Sequence, residues 1–216
     1  NYMTWDQMRE FAESDLVTIG NHTHTHLHMP ANSTARNRSE LEKSQQRFRE
    51  KLGLTPDLFA YPFGEYGKSV KKVVREAGFV AGFGQHSGAI GRLRDMYELP
   101  RYALNEAYGG MDRFTLAVNS LPLPVKDITP DDNVLEPSTN PPVYGFTVHE
   151  SVRPVDNLNC FASGRGAVSM KQVMDGRIEV RMDEPFPDGR ARINCTLQGP
   201  DGRWRWFGNQ FYVKGQ

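Results

Sequence analysis

The sequence predicts an α/β fold followed by an all-β segment, and two observations support this. Between residues 4 and 119, apolar runs of strand length alternate with stretches of helical periodicity, an order typical of parallel βαβ units. After residue 143, alternating and β-branched runs are separated by turn signals such as Asp-Gly. We therefore predict an α/β domain at 1–120, a Pro-rich linker at 121–142 and a β-sandwich domain at 143–216.

Cap signals and apolar periodicity locate the predicted helices. Thr4 to Gln7 has the capping-box pattern and predicts a helix that ends near residue 13. Ser39 to Glu42 has the same pattern and predicts a helix to about residue 52, with 29–38 as a loop. Two further helices are predicted over 68–77 and 111–119, where apolar residues recur at helical spacing.

Short apolar runs predict the strands. In the first half of the chain these runs are 16–19, 58–61, 79–83 and 97–101. In the second half they are 144–149, 158–162, 178–182, 191–197 and 204–213, a spacing that favours a small antiparallel β-sandwich. Cys160 and Cys195 each lie in one of these runs and lack zinc-type spacing. They are therefore either a disulfide that cross-links the two sheets or a pair of buried thiols.

Charge and hydropathy exclude some classes of function. The 216 residues carry 26 Lys and Arg against 26 Asp and Glu, so we expect no basic surface for nucleic acid or anionic membrane. No apolar run approaches the length of a membrane span. A nucleic-acid partner and a membrane span are therefore not expected.

Four of the six histidines lie in one loop, directly after the predicted strand 16–19. They occupy positions 22, 24, 26 and 28, with one other residue between each histidine and the next. Loops at the carboxyl ends of parallel strands build active sites in α/β proteins, and imidazole is a common ligand for zinc. If the chain turns helical after Asn21, His22 and His26 lie at i and i+4 and can share one ion. The alternative is a solvated loop that is rich in histidine.

Two motifs in sequence order resemble those of a known family. Residues 20–26 read Gly-Asn-His-Thr-His-Thr-His, and residues 61–66 read Tyr-Pro-Phe-Gly-Glu-Tyr. The first resembles the His-Ser/Thr-x-x-His motif of the polysaccharide deacetylases, the NodB-homology group of carbohydrate esterases. The second resembles that family's Arg-x-Pro-aromatic-Gly motif. The resemblance covers roughly residues 1–120 and implies a deformed (β/α) barrel, here a partial one, that hydrolyses acetyl groups on a polysaccharide.

The resemblance also implies roles for individual residues. Family members hold a divalent metal with one aspartate and two histidines, and the implied histidine ligands here are His22 and His26. The metal is expected to be zinc, with cobalt or nickel as alternatives. Such a metal makes water nucleophilic near neutral pH, and the implied donor to the developing oxyanion is the N–H of Phe63. The implied substrate-binding residues are Thr23, which would also support the loop, Tyr61 and Pro62.

The sequence departs from the family pattern at three points. No Thr-Phe-Asp-Asp-Gly motif, source of the metal-binding aspartate and the catalytic base, precedes His22. We expect the natural protein to extend upstream of Asn1; the alternative is a chain that has lost both groups. Ala60 replaces the usual arginine, and Arg101 is either its functional substitute or a salt-bridge partner. The Leu-x-His general acid is missing, and His86 is either its substitute or a loop histidine without a role.

The leading functional hypothesis is metal-dependent deacetylation of an acetylated polysaccharide, with an N-acetyl amide expected ahead of an O-acetyl ester. The alternative is a non-catalytic carbohydrate-binding or assembly protein on a degenerate deacetylase barrel. A histidine-rich metal-trafficking protein would explain the histidine loop but not the motif at 61–66. The resemblance implies a periplasmic or secreted location, and a disulfide between the two cysteines would agree with it.

Overall fold

The computed structural model describes residues 2–215, which contain four α-helices. Helix α1 begins at the predicted capping box, in which Thr4 and Gln7 each bond the other's backbone N–H. Helix α2 begins earlier than predicted because Ser33, not Ser39, is its N-cap and accepts from the Arg36 N–H. None of the helices within 2–215 has the length and apolar character needed to span a bilayer. The helices are α1 (Trp5–Ala12), α2 (Thr34–Leu52), α3 (Lys68–Glu76) and α4 (Met111–Asn119).

The first half of the chain forms a small parallel sheet. Strands β1 (Leu58–Ala60) and β2 (Ala81–Phe83) pair in parallel. Single parallel bridges extend this pair on both sides, to Asn21 beyond β1 and to Leu99 beyond β2. Four neighbouring segments therefore run in the same direction as a curled partial barrel, and their carboxyl ends lie at one edge.

Two predicted strands of this half are not formed as strands. Residues 16–19 form no strand, and the side chains of Leu16 and Val17 are exposed. Only Asn21 joins the sheet, donating its N–H to Leu58 at 2.8 Å. An apolar run becomes a buried strand only where neighbours cover it, and within 2–215 this run has a neighbour on one side at most. The predicted strand 97–101 likewise contributes the single bridge at Leu99.

Helices α2 and α3 cover the outer side of the sheet. Helix α3 directs three valines inward, as its helical spacing predicts, and Gly78 follows it with φ +87°. The side chains of this core hold β1 and the residues that follow it in place. The buried set is Met29, Leu41, Phe59, Tyr61, Tyr66, Val70, Val73, Val74 and Phe79.

The second half forms a nine-stranded sheet. The strand order is β3-β11-β10-β7-β8-β9-β6-β4, and β5 also pairs with β11. The strands are β3 (Leu121–Pro122), β4 (Val125–Thr129), β5 (Val134–Leu135), β6 (Tyr144–Val148), β7 (Asn159–Ala162), β8 (Gly166–Met174), β9 (Arg177–Arg181), β10 (Gly189–Gln198) and β11 (Trp204–Val213).

The predicted β-sandwich is not confirmed, because the strands form one continuous sheet. Strand β8 pairs with β7 over its first residues and with β9 over the rest, and so joins the two halves. The sheet folds over its own core: the rings of Tyr144 and Phe211 lie 5.7 Å apart, and those of Phe146 and Phe207 lie 5.2 Å apart. The core is shared by strands that are not hydrogen-bonded neighbours.

The Pro-rich stretch 121–142 is part of this sheet and not a linker. It supplies β3 and β5, which pair in parallel with β11, and β4, which pairs with β6. Strands β3 and β4 end the strand order, and an edge strand tolerates proline because one row of its N–H groups needs no partner. The division of the chain into domains stays a prediction.

The two cysteines form a disulfide. Cys160 of β7 lies directly opposite Cys195 of β10, with their Cα atoms 4.1 Å apart. Of the two alternatives the disulfide is the one observed, and the bond joins neighbouring strands of one sheet. It does not link two facing sheets as predicted, because β7 and β10 are hydrogen-bonded to each other.

Candidate active site

The carboxyl edge of the partial barrel brings together the motifs found in the sequence. The histidine loop follows Asn21, and a tight turn at 62–64 follows β1. The segment from Gly84 to His86 follows β2, and Arg101 follows Leu99. Parallel strands present the loops after their carboxyl ends at the same edge, so residues far apart in sequence meet here.

The histidine loop is irregular, and the helix considered for it is not formed. The Asn21 side chain accepts the Thr23 N–H at 3.0 Å and the Ser44 hydroxyl at 2.8 Å. The Thr23 hydroxyl in turn accepts the His26 N–H at 3.0 Å. Thr23 and His26 both have positive φ, 65° and 58°, a conformation that non-glycine residues adopt only where surrounding contacts enforce it. These reversals bring the rings of His22 and His26 to 4.8 Å between centroids.

His22 is oriented as a metal-binding histidine would be. Its Nδ1 lies 2.6 Å from the carbonyl oxygen of Ala60, so that nitrogen carries the proton and Nε2 keeps its lone pair. Burial lowers the pKa of His22, the bond to Ala60 opposes this, and the charges of His26 and Arg101 lower the pKa further. The ring is therefore neutral near pH 7, the form that binds a metal.

His22 and His26 are the two residues that could hold a metal ion as imidazole ligands. Within residues 2–215, no group of three or more His, Cys, Asp or Glu side chains is arranged to hold an ion. The Asp6 carboxylate is exposed and pairs with Arg9. A divalent ion bound at the pair would polarise the acetyl carbonyl and activate water.

The turn after β1 places Phe63 beside the histidine pair. Within the turn, the Gly64 N–H donates to the Tyr61 carbonyl and the Glu65 N–H donates to the Pro62 carbonyl. Neither of these hydrogen bonds uses the N–H of Phe63. Phe63 has φ +56°, and its ring contacts His26 edge-on at 4.5 Å. The N–H predicted to stabilise the oxyanion is thus held in an unusual backbone conformation next to the predicted ligands.

Two predicted substrate-binding residues support this turn from inside. Tyr61 has no exposed surface, and its hydroxyl donates to the Tyr97 carbonyl at 2.8 Å. Pro62 is buried as well. Their side chains therefore pack in the core and do not reach a surface that a polysaccharide can contact. Thr23, the third predicted substrate-binding residue, lies at the edge and braces the loop through His26.

The two predicted substitute residues have different environments. His86 has no exposed surface, and burial together with the charge of Arg94 holds its pKa well below the usual range. A general acid must carry a proton and reach its substrate, so this buried, neutral ring is unsuited to the predicted role. Arg101 is half-buried, donates from Nε to the Gly84 carbonyl at 2.6 Å, and acts electrostatically on His22. The structure therefore brings Arg101, but not the side chain of His86, to the candidate site.

Several site residues were missed by sequence reasoning. His28 stacks on the Phe63 ring at 3.9 Å, and its Nδ1 bonds the buried carboxylate of Glu65 at 2.7 Å. Glu65 lies inside the second motif, which was a usable signal. Gln210 and Arg190 both donate to the Phe63 carbonyl, at 3.0 and 3.2 Å. Alternation places them on strands of the second half, but no local pattern shows that those strands contact the turn.

The comparison with known families finds a match over the first part of the chain. Residues 1–82 match the family described as polysaccharide deacetylase. The match covers less than half of the chain. The matched residues contain the histidine pair and the turn at Phe63, so the resemblance seen in the sequence is confirmed. No curated protein matches the chain.

Several solved deacetylase structures are similar to part of the chain. The deacetylase domain of BpsB from Bordetella bronchiseptica is 24% identical over 46% of this chain, with a TM-score of 0.42. Deacetylase PplD of Streptococcus pyogenes is 20% identical over 46% of this chain, with a TM-score of 0.44. A de-N-acetylase from Aggregatibacter actinomycetemcomitans is 21% identical over 53% of it, with a TM-score of 0.44. The matches cover 48%, 43% and 52% of those chains, so this chain spans about half their length.

Proposed function

We propose that the protein is a metal-dependent polysaccharide deacetylase that acts in the periplasm or outside the cell. Zinc is the proposed metal, and an N-acetyl amide is the proposed substrate group, ahead of an O-acetyl ester. One observation carries the proposal: His22 is fixed by Ala60 with Nε2 free, 4.8 Å from His26 between ring centroids, inside the family-matched segment. The disulfide favours an oxidising compartment.

In the proposed reaction, water adds to the acetyl carbonyl carbon and the C–N bond breaks. The amine nitrogen takes a proton, and acetate leaves. His22 and His26 would hold the metal, while the N–H of Phe63 would donate to the carbonyl oxygen as it becomes an oxyanion. Each such donor contributes roughly 10²–10³ in rate. Arg101 would stabilise negative charge near His22, on which its charge already acts.

The carboxylate that completes the site is proposed to come from a part of the natural protein upstream of Asn1. Within 2–215 the histidine pair has no third ligand, whereas catalytic zinc sites use three protein ligands. The same observation favours the second candidate function, a non-catalytic carbohydrate-binding or assembly protein. The two candidates differ in a measurable way, because only a deacetylase releases acetate.

The experiment uses two proteins, the 216-residue chain and the same chain extended upstream through its reading frame to an Asp-Asp-Gly motif. Each is assayed for acetate release from acetylated chito-oligosaccharides with zinc or cobalt. We expect activity near background from the short chain, since loss of the base alone lowers the rate by roughly 10²–10⁴. Acetate release that requires the extension supports the enzyme. No release from either protein, with oligosaccharide binding retained, would favour the binding protein.

Metal content tests the ligands separately from turnover. We expect His22→Ala and His26→Ala each to abolish stoichiometric zinc binding to the extended protein. His24→Ala is the matched control, because His24 lies in the same loop with an exposed side chain and should keep the metal. Unchanged zinc stoichiometry in both of the first two variants would contradict the assignment.

A further inference from the structure

Two arginines on one face of β10 reach the candidate active site from the second half of the chain. Arg190 donates from Nη1 to the Phe63 carbonyl at 3.2 Å and to the Gln85 side chain at 2.9 Å. Arg192 donates from Nη1 to the Gln85 carbonyl at 3.2 Å. Both guanidinium groups thus lie at the edge where the turn after β1 and the loop after β2 meet.

These guanidinium groups have no carboxylate partner. In the part of the chain that the structure describes, neither Arg190 nor Arg192 forms an ion pair with Asp or Glu, and neither does Arg101. Burial lowers the pKa of Arg192, and the charge of Arg190 lowers it further. Glu65, a buried carboxylate nearby, is bonded to His28. The site therefore holds several guanidinium groups, and the hydrogen-bond acceptors described for them are uncharged carbonyl oxygens.

The two arginines also have N–H donors beyond those used in the bonds described above. A guanidinium has five N–H donors in a planar fork that matches a carboxylate or a phosphate. The bonds of Arg190 and Arg192 described above use Nη1 alone, which leaves Nε and Nη2 of each. Partly buried, like-charged groups held close together are stabilised when an anion binds between them.

The neighbours of this pair connect it to the histidines. Tyr212 lies opposite Arg190 in the β10–β11 register, and its ring is 6.5 Å from that of His28. Phe63, whose carbonyl Arg190 holds, contacts His26 and His28 through its ring. A sugar ring lying along Tyr212 would therefore place its substituents between the arginines and the histidine loop.

We propose that Arg190 and Arg192 form an anion subsite and that the glycan substrate carries carboxylate or phosphate groups. The inference rests on the proposed function in so far as it calls the glycan a substrate. The subsite itself requires only that the chain bind an anionic glycan. The chain as a whole has no net charge, so a preference for anionic glycans would come from a local site and not from general attraction.

The test is calorimetric titration of the 216-residue chain with three size-matched oligosaccharides: an oligogalacturonate, a phosphorylated oligosaccharide and a neutral chito-oligosaccharide. We expect at least one anionic ligand to bind tenfold or more tightly than the neutral one, with affinity that falls as salt is added. The relative affinities of the two anionic ligands show which group the subsite prefers. Arg190→Gln and Arg192→Gln should each weaken anionic binding by about tenfold, since a charge-assisted pair is lost.

Matched variants separate the subsite from folding effects and from nonspecific charge. Arg181→Gln removes an exposed arginine from β9 and should leave binding unchanged. Arg190→Lys keeps the charge but loses the planar fork, so its affinity should lie between those of the unchanged chain and Arg190→Gln; circular dichroism confirms the fold of every variant. Equal binding of neutral and anionic ligands, or equal losses in Arg181→Gln and Arg190→Gln, would overturn the proposal. Acetate release plays no part in this assay, so the subsite and the deacetylase function can fail independently.

Discussion

Replacement of Gly64 by alanine tests whether the turn at Phe63 depends on close backbone packing. Gly64 has φ +70°, and an added Cβ would lie 2.4 Å from the backbone nitrogen of Gln85 and 2.5 Å from its Cβ. A left-handed alanine costs about 1–2 kcal/mol, and overpacking costs about 1–3 kcal/mol more. We therefore expect Gly64→Ala to lower the free energy of unfolding by about 2–5 kcal/mol.

Gly53 provides the matched control. It ends α2 with φ +67°, almost the same backbone conformation as Gly64, but a Cβ there would meet nothing within 4 Å. Gly53→Ala should therefore cost only the conformational term, about 1–2 kcal/mol. The effect of alanine on the unfolded chain is common to both variants and cancels in the comparison.

Urea unfolding of both variants, followed by circular dichroism, gives the two free energies. The difference between them should be about 1–3 kcal/mol and measures the contact between Gly64 and Gln85. Equal destabilisation in the two variants would refute the reasoning, because it would mean that the loop after β2 moves away from the turn at no cost.

Two further predictions concern buried polar groups near the site. Gln210→Leu removes one donor to the Phe63 carbonyl and should lower the free energy of unfolding by about 1 kcal/mol, whereas loss of 3 kcal/mol or more in urea unfolding would show a wider role. The folded-state pKa of His86 lies below its usual 6.5, so the unfolded chain takes up the proton first as the pH falls. Stability should therefore decrease below about pH 6.5 with a slope of up to about 1.4 kcal/mol per pH unit, and His86→Gln should lack this component; identical pH profiles of the two proteins would contradict it.

The parts of the fold that local sequence determines were predicted well. Capping and periodicity located α1, α3 and α4, and alternation located β10 and β11 to within a few residues. The disulfide was anticipated as one of two possibilities. These features depend on residues close in sequence, or on a residue type with few possible partners.

The errors share one physical cause, which is that burial depends on distant neighbours. Residues 16–19 look like a buried strand, but only Asn21 is paired with β1. Residues 121–142 look like a linker because of their prolines, yet edge positions in the sheet accept them. His86 lies in a loop, as one of the two alternatives stated, but its burial was not predicted; its neighbour Arg94 bonds Gly208 of the second half.

The residues of the candidate site likewise divide into those that the sequence predicted and those that it did not. The resemblance implied that His22 and His26 would act together, and their rings do meet, although a loop and not the helix considered from their spacing brings them together. The contribution of Arg190 and Gln210 was not predictable, because more than a hundred residues separate them from the carbonyl they hold.

The hydrogen bonds from β10 and β11 to the Phe63 carbonyl affect whether the second half of the chain can be replaced by another domain. A C-terminal module that only tethers an enzyme to a surface can be exchanged for another without altering the chemistry. Here Arg190 and Gln210, which donate to the Phe63 carbonyl, belong to the second half of the chain. A chimera that joined residues 1–120 to an unrelated module would keep both family motifs and lose the braces behind one of them. The second half of the chain therefore contributes to the structure of the turn at Phe63, and replacing it would remove those hydrogen bonds.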